Sequence, residues 1–309
     1  MKHLPPTENQ ILQSREAKPP HLPLDQPVEA LVESEVQLEG SQASILTLFL
    51  NVKECPLRCT MCDLWKPMPS KPVSASQLIG QVETTISQHP QTDQLKLYNS
   101  GNFFDSQSIP PEAYSQLAVI ASRYERLIIE NHPQVGWNRF ARFTELLSEQ
   151  TQLEVAMGLE IADDECLQWL NKRLTCEQFR SRCEWLKKWG VDIRAFVLLK
   201  PPPIESEQKG IELAIQTIDF AWDCGVETIS LIPTRATTSF MKQLQQQGAF
   251  SPPSLASLEE VLKQASANLQ GRLFVDLWDL DSLYPHETDF AQRMALMENY
   301  NLTQRWPDE

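Results

Sequence analysis

Three of the chain's seven cysteines crowd into one short segment: Cys55, Cys59 and Cys62 lie within residues 51–65, NVKECPLRCTMCDLW. Their spacing is C-x3-C-x2-C. Thiolates are the ligands of iron–sulfur clusters, and a 4Fe–4S cubane normally takes four of them. Three cysteines leave one iron open, and an open iron can chelate a small molecule. A cluster that only relays electrons has no need of that. The same thiols could instead form a zinc site with Asp63 or a distant cysteine as fourth ligand. Structural zinc sites usually pair two C-x2-C knuckles, however, and the sequence has no second knuckle. Cys166, Cys176, Cys183 and Cys224 are scattered without auxiliary-cluster spacing and read as small buried hydrophobes. An odd cysteine count without an apolar leader argues for metal binding in a reducing compartment, the cytoplasm, rather than a disulfide framework.

Such a loop needs rigid elements to hold it, and the pattern supplies them. Residues 45–51 form a short apolar run, a buried strand by length. Further strand patterns fall at 95–98, 126–130, 153–159, 193–199, 228–232 and 273–277. Helical patterns separate them at 76–88, from about Pro111, at 137–147, 165–170, 176–189, 207–223 and 254–269, with Gly190 and Gly225 as stops. Strands alternating with helices imply βαβ units, a parallel sheet and right-handed crossovers. The expected fold is α/β, a partial (β/α)6-type TIM barrel over residues 41–285. Six prolines before Val28 make residues 1–40 a Pro-rich arm in which no regular element of useful length fits, and residues 286–309 a short tail. In a barrel of this kind chemistry sits at the C-terminal ends of the strands, where the cysteines begin.

The net charge is −14, and no long basic run occurs, so the chain is a poor candidate for sequence-independent nucleic-acid binding. The small basic groups Lys187, Lys188, Arg194 and Arg139, Arg142 read as solvated faces. The longest strongly apolar stretch, near residues 45–52, is far too short to span a bilayer, so no membrane partner is expected.

With the C-x3-C-x2-C motif placed directly after the first barrel strand, the sequence resembles the radical S-adenosylmethionine (SAM) superfamily. The resemblance implies that Cys55, Cys59 and Cys62 hold a 4Fe–4S cluster. Its open iron would bind SAM, and reductive cleavage would give methionine and a 5′-deoxyadenosyl radical that takes hydrogen from substrate. It implies cofactor contacts from Met61, from the small turn Ser100-Gly101-Asn102 and from Glu160. That turn departs from the common Gly-Gly-Glu form. A cation on the methionine carboxylate would come from Asn171-Lys172-Arg173, where Lys172 and Arg173 compete and an arginine fork suits a carboxylate. Residues at other strand ends, Tyr98, Asp105, Lys200 and Arg235, are substrate-side candidates. Glu130, Asn131 and His132 close the third strand, with His132 read as a loop histidine.

The runs YNSGNFFD, GLEIADDECLQWLNKRLT and LWDL are similar to stand-alone iron–sulfur oxidoreductases related to the radical SAM subunit of archaeosine synthase, which acts on a modified tRNA base. This is the branch of the Elongator catalytic subunit and the methylthiotransferases. The substrate expected is a small metabolite or natural-product intermediate, given the acidic charge and no visible RNA-binding addition. The alternative is a tRNA base presented with a partner protein. A non-enzymatic metal-binding or redox protein is a third reading, against which the motif on a full barrel argues. The resemblance also implies an electron donor such as flavodoxin or ferredoxin.

Overall fold

The computed structural model describes residues 4–20 and 22–307. The chain runs α1 (Glu8–Ser14), β1 (Glu29–Val36), β2 (Gln42–Leu50), α2 (Ala75–Gln88), β3 (Gln94–Asn99), α3 (Tyr114–Ala121), β4 (Arg126–Glu130), α4 (Phe140–Thr144) and β5 (Gln152–Glu160). It continues with α5 (Asp164–Trp169), α6 (Cys176–Lys187), β6 (Asp192–Leu199), α7 (Glu207–Asp223), β7 (Thr228–Pro233), α8 (Ser239–Gln246), α9 (Leu255–Ser266), β8 (Arg272–Val275), α10 (Leu280–Leu283) and α11 (Phe290–Thr303). Capping boxes set three helix starts, Thr7 with Gln10, Ser74 with Gln77 and Thr175 with Gln178, each satisfying end N–H groups that have no partner inside the helix.

The eight strands form one sheet in sequence order, antiparallel between β1 and β2 and parallel from β2 to β8. It is a curled partial barrel, the fold class read from the sequence. Strand side chains alternate between two surroundings. Leu46, Leu48, Leu95, Leu97, Leu127, Ile129, Val155 and Met157 join the helix-facing apolar core. Their neighbours point to the barrel lumen, as period two requires.

At the N-terminal ends of the strands the lumen is filled by charge. Arg194 bonds Glu35 through Nη2 (2.6 Å) and Glu154 through Nε (2.6 Å). Lys96 Nζ lies 2.7 Å from both Glu33 and Glu35, and Arg272 reaches Glu154 (3.4 Å) and donates to Thr228 Oγ1 (2.7 Å). Burial pushes the Glu35 carboxyl upward, but Arg194 and Lys96 outweigh it and hold it well below the usual carboxylate range. Arg194 is therefore no solvated face; the sheet buries it at 2% exposure because Glu35 and Glu154 arrive from β1 and β5 to meet it.

Two other expectations fail at the chain's ends. Residues 1–40 contain the regular elements α1 and β1, and β1 is a full member of the sheet. Residues beyond 286 form α11, which lies across the gap between β1 and β8. Asn301 there accepts from Val275 N–H and donates to Val275 O, both at 2.9 Å, and Gln304 accepts from Leu273 N–H (2.6 Å). These amides satisfy the free backbone edge of β8, which would otherwise invite pairing with another chain. No described helix is long and apolar enough to cross a membrane.

Candidate functional site

The loop after β2 carries the three cysteines to the C-terminal face of the barrel. It is clamped there. Thr60 N–H donates to Leu170 O (3.0 Å), Asn171 Nδ2 donates to Arg58 O (2.7 Å), and Thr238 Oγ1 donates to Thr60 O (2.9 Å). All three thiols are free and half-buried. Burial pushes Cys55 up, Cys59 up to about 11, and Cys62 higher still, where the neighbouring thiols of Cys59 and Cys55 add to it. Without metal they are neutral, so ligation must displace protons. Among the described residues no three His, Cys, Asp or Glu side chains are grouped to hold one metal ion. A cubane does not ask for such convergence, because each thiolate takes a different iron.

The turn after β3 presses on Cys55. Gly101 has φ +133°, and a Cβ there would stand 3.1 Å from Cys55 Sγ, so a side chain at this position is both strained and crowded. Asn102 Nδ2 donates to Cys55 Sγ (3.0 Å) while its Oδ1 accepts from His132 N–H (3.1 Å). That gives the residue at the Glu position of the common turn a definite contact, with the sulfur itself. Both amide atoms of Asn99 and the hydroxyl of Ser100 are buried without a hydrogen-bond partner among the described residues. Native interiors rarely leave such groups unpaired. Orphaned polar atoms beside three thiols and an N–H···S bond fit a cluster with a polar small molecule on it.

Across the mouth, Lys172 Nζ pairs with Glu160 Oε1 at 2.5 Å. Burial pulls the Lys172 ammonium down, but Glu160 and then Cys59 outweigh it, and the group is held charged. Glu160, Asn171 and Arg173 all have positive φ (66°, 51° and 54°). Left-handed backbone at ordinary residues costs about 1–3 kcal/mol each and collects at functional sites. Of the two competing cations, Lys172 is turned inward; Arg173 is exposed and pairs with Glu8 of α1 (2.6 Å).

Tyr98 faces the lumen between Phe49 and Phe196, with ring centroids at 6.1 and 5.9 Å. Burial raises its phenol to about 12. Glu130 stands at the lumen rim. Burial raises its carboxyl to about 7, against the pull of Lys172 and the Asn99 N–H. Met61 packs with Ile161, Leu167 and Trp169 in the smaller apolar cluster beside the cysteine loop. The other candidates are engaged elsewhere. Asp105 accepts from Gln107 N–H in its own turn (2.9 Å). Lys200 is buried against Glu207 and donates to Ser251 Oγ (2.8 Å). Arg235 pairs with Asp276 (2.9 Å) and donates to Trp278 O. His132 accepts at Nδ1 from Gln134 N–H (3.1 Å) and reaches Lys172 O from Nε2 (3.0 Å), as a structural loop histidine would. Burial drives its pKa down to about 3. Asn131 accepts from Phe104 N–H (2.9 Å) and is likewise structural in its contacts. The residues that sequence reasoning missed are Asn99, Glu54, Trp65 and Arg15. Only Glu54, adjacent to Cys55, had a local signal.

No family model matches the sequence. Archaeosine synthase subunit beta of Methanosarcina acetivorans is 27% identical over 241 residues, covering 74% of this chain and 69% of that protein. An uncharacterised protein of Methanocaldococcus jannaschii is 24% identical over 256 residues, covering 78% of this chain and 69% of its own length. Among solved structures, Streptococcus suis SuiB bound to S-adenosylmethionine matches with a TM-score of 0.55 at 13% identity, over 78% of this chain and 54% of that one. The chain thus spans only about half of that solved protein. In its fold, its cysteine loop and its similarity to archaeosine synthase subunit beta, the chain resembles the radical SAM superfamily.

Proposed function

We propose that Cys55, Cys59 and Cys62 hold a 4Fe–4S cluster, that SAM lies between it and the lumen, and that hydrogen is taken from a substrate resting in that lumen. When bound and reduced, the cluster supplies the electron that cleaves SAM to methionine and a 5′-deoxyadenosyl radical. The chain's own part is placement and exclusion of water. Lys172 offers its ammonium to the methionine carboxylate, with Glu160 beside it for the amino or ribose groups. Asn99 and Ser100 supply polar atoms to the same molecule, and Asn102 orients Cys55. Below, the half-buried rings of Phe49, Tyr98 and Phe196 form a shelf over the charged floor, and Glu130 gives the rim one acceptor. The observation that carries this reading is the turn after β3: Asn99 and Ser100 keep buried polar atoms without a partner among the described residues, and Gly101 and Asn102 lie against Cys55.

For the substrate we favour a modified tRNA base delivered by a partner subunit. The Methanosarcina relative is by name one subunit of an archaeosine synthase. A net charge of −14 supports the second reading, a small metabolite that reaches the lumen without RNA. A flavodoxin or ferredoxin would supply electrons in either case.

The test is anaerobic reconstitution with iron and sulfide, reduction, and addition of SAM. Slow release of 5′-deoxyadenosine is expected even without substrate. A fully loaded 4Fe–4S protein that neither binds SAM nor releases 5′-deoxyadenosine would sink the proposal. A tRNA shift assay at low and high salt separates the substrates, since phosphate contacts are strongly salt-dependent. Gly158→Ala probes the cofactor contacts separately. A Cβ there would stand 2.3 Å from Lys172 Nζ and 2.4 Å from Glu160 Oε1, so the pair must shift while the fold remains. SAM affinity should fall about tenfold or more, the size of one charged hydrogen bond. Unchanged affinity by calorimetry would remove Lys172 and Glu160 from the cofactor.

A further inference from the structure

The arm ahead of the sheet is fastened across the cysteine face. α1 starts in a capping box between Thr7 and Gln10, and its one buried residue is Ile11. Ile11 and Arg15 line a cavity of about 10 Å³ together with Cys59, Cys62, Trp65 and Phe240. The Arg15 guanidinium lies over the Trp65 ring, 4.1 Å from its centroid, and 3.5 Å from Glu54, the residue before Cys55. Its Nε is buried without a hydrogen-bond partner among the described residues. Lys18 also holds Glu54 (3.1 Å) and donates to Met68 O (2.9 Å). Glu8–Arg173 (2.6 Å) and Glu16–Lys66 (2.9 Å) complete the fastening.

These contacts divide into two kinds. The tethers Glu8–Arg173 and Glu16–Lys66 are between partners 24–56% exposed, and such exposed pairs are weak and screened by salt. What lies beneath them is Ile11 and Arg15, directly over the thiols. Three thiolates gather negative charge in a half-buried loop, where a nearby cation acts strongly because the surroundings are poorly polarisable. Lys172 provides one from the lumen side, and Arg15 provides one from the arm.

We propose that residues 7–18 are a strap that closes over the cysteine face, with Ile11 as its apolar seat and Arg15 as a positioning cation for the loaded thiolates. Closed, it keeps water and oxidants from the cysteines; open, it admits the small molecule that binds there. The role of Arg15 rests on the cluster reading above, whereas the shielding of the thiols does not.

The first experiment therefore uses the full chain without iron. Alkylation of Cys59 and Cys62 by iodoacetamide is followed by mass spectrometry, in the parent and in Ile11→Ser, at low and at 0.5 M salt. Circular dichroism confirms that both fold. Labelling about tenfold faster in Ile11→Ser, and faster in the parent at high salt, is expected. Equal rates in parent and variant would overturn the strap. After reconstitution, Arg15→Gln should lower the midpoint potential of the cluster, because removing a nearby positive charge disfavours the more negative reduced state. Rebinding of the charge in Arg15→Lys should restore most of it. An unchanged potential in Arg15→Gln would remove Arg15 from the role. Failure to load any cluster, with labelling still governed by Ile11, would overturn the Arg15 role together with the cluster reading and leave the strap standing.

Discussion

Cys62→Ala is expected to fold as the parent does, to fail to build a stable 4Fe–4S absorbance on reconstitution, and to release no 5′-deoxyadenosine. The argument is one of ligand number. With three cysteines and an open iron, loss of one thiolate leaves two, too few for a cubane that already lacks its fourth protein ligand. Folding should be spared because the loop is clamped by Thr60, Asn171 and Thr238, none of which bonds through the Cys62 sulfur. Cys183→Ala is the control: it lies buried in α6 within the helix-facing core and should lose a little stability while keeping the cluster. Iron and sulfide content, visible absorbance and product release read the three outcomes. A Cys62→Ala protein that keeps a full cluster and its activity would show that the ligand set has been misassigned.

Glu154→Gln should be the most destabilising single change in the barrel. It leaves Arg194 and Arg272 buried against a neutral amide, and breaking a buried pair from one side costs about 3–5 kcal/mol. For a domain of this size that is on the order of 10 °C in Tm. Replacing Glu154 and Arg194 together by leucine and methionine should cost less than Glu154→Gln alone, because one buried charge of each sign is removed while Glu35 keeps Lys96. The same network predicts acid sensitivity, and its sign is fixed. Burial pushes Glu35 and Glu154 upward, yet Arg194 with Lys96, and Arg194 with Arg272, hold them below their ordinary value of 4.5. Groups depressed in the folded state contribute fully above the unfolded value and lose that contribution as pH falls toward the folded one. Denaturant midpoints at pH 7, 5 and 4 should therefore decline below about pH 4.5 in the parent, and decline less in the double variant. A parent midpoint that stays level down to pH 4 would contradict the network's role.

The parallel strands and most helices were legible because one property, apolar alternation against a helix-covered face, is local. Strand positions 153–159 and 193–199 were found within a residue or so of β5 and β6. β1 was not, because EALVESEV carries three acids and follows Pro27, and reads as a solvated segment. Its acids make sense only once Lys96 and Arg194 arrive from strands about 60 and 160 residues away. α11 was missed for a related reason: its polar residues Asn301 and Gln304 face β8 rather than water. At the mouth, the cysteines announced themselves through spacing and residue type, and the Asn171-Lys172-Arg173 run through the resemblance. Whether Lys200 was free or spent on Glu207, and whether Lys172 or Arg173 turned inward, depended on contacts that no local pattern carries. Arg15 is the extreme case, an ordinary charge in a proline-rich segment that the fold lays over an aromatic ring and two thiols.

The seam between β1 and β8 has a consequence for girth. A closed barrel has its circumference fixed by an unbroken ring of backbone hydrogen bonds, so strand number and tilt set its width. Here the ring is interrupted: the amides of Asn301 and Gln304 cover the β8 edge, and Arg272 crosses to Val36 O of β1 at 3.3 Å. Side-chain joints can lengthen or swap partners without unzipping any strand. Along this seam the circumference is thus set by side chains rather than by a backbone ladder.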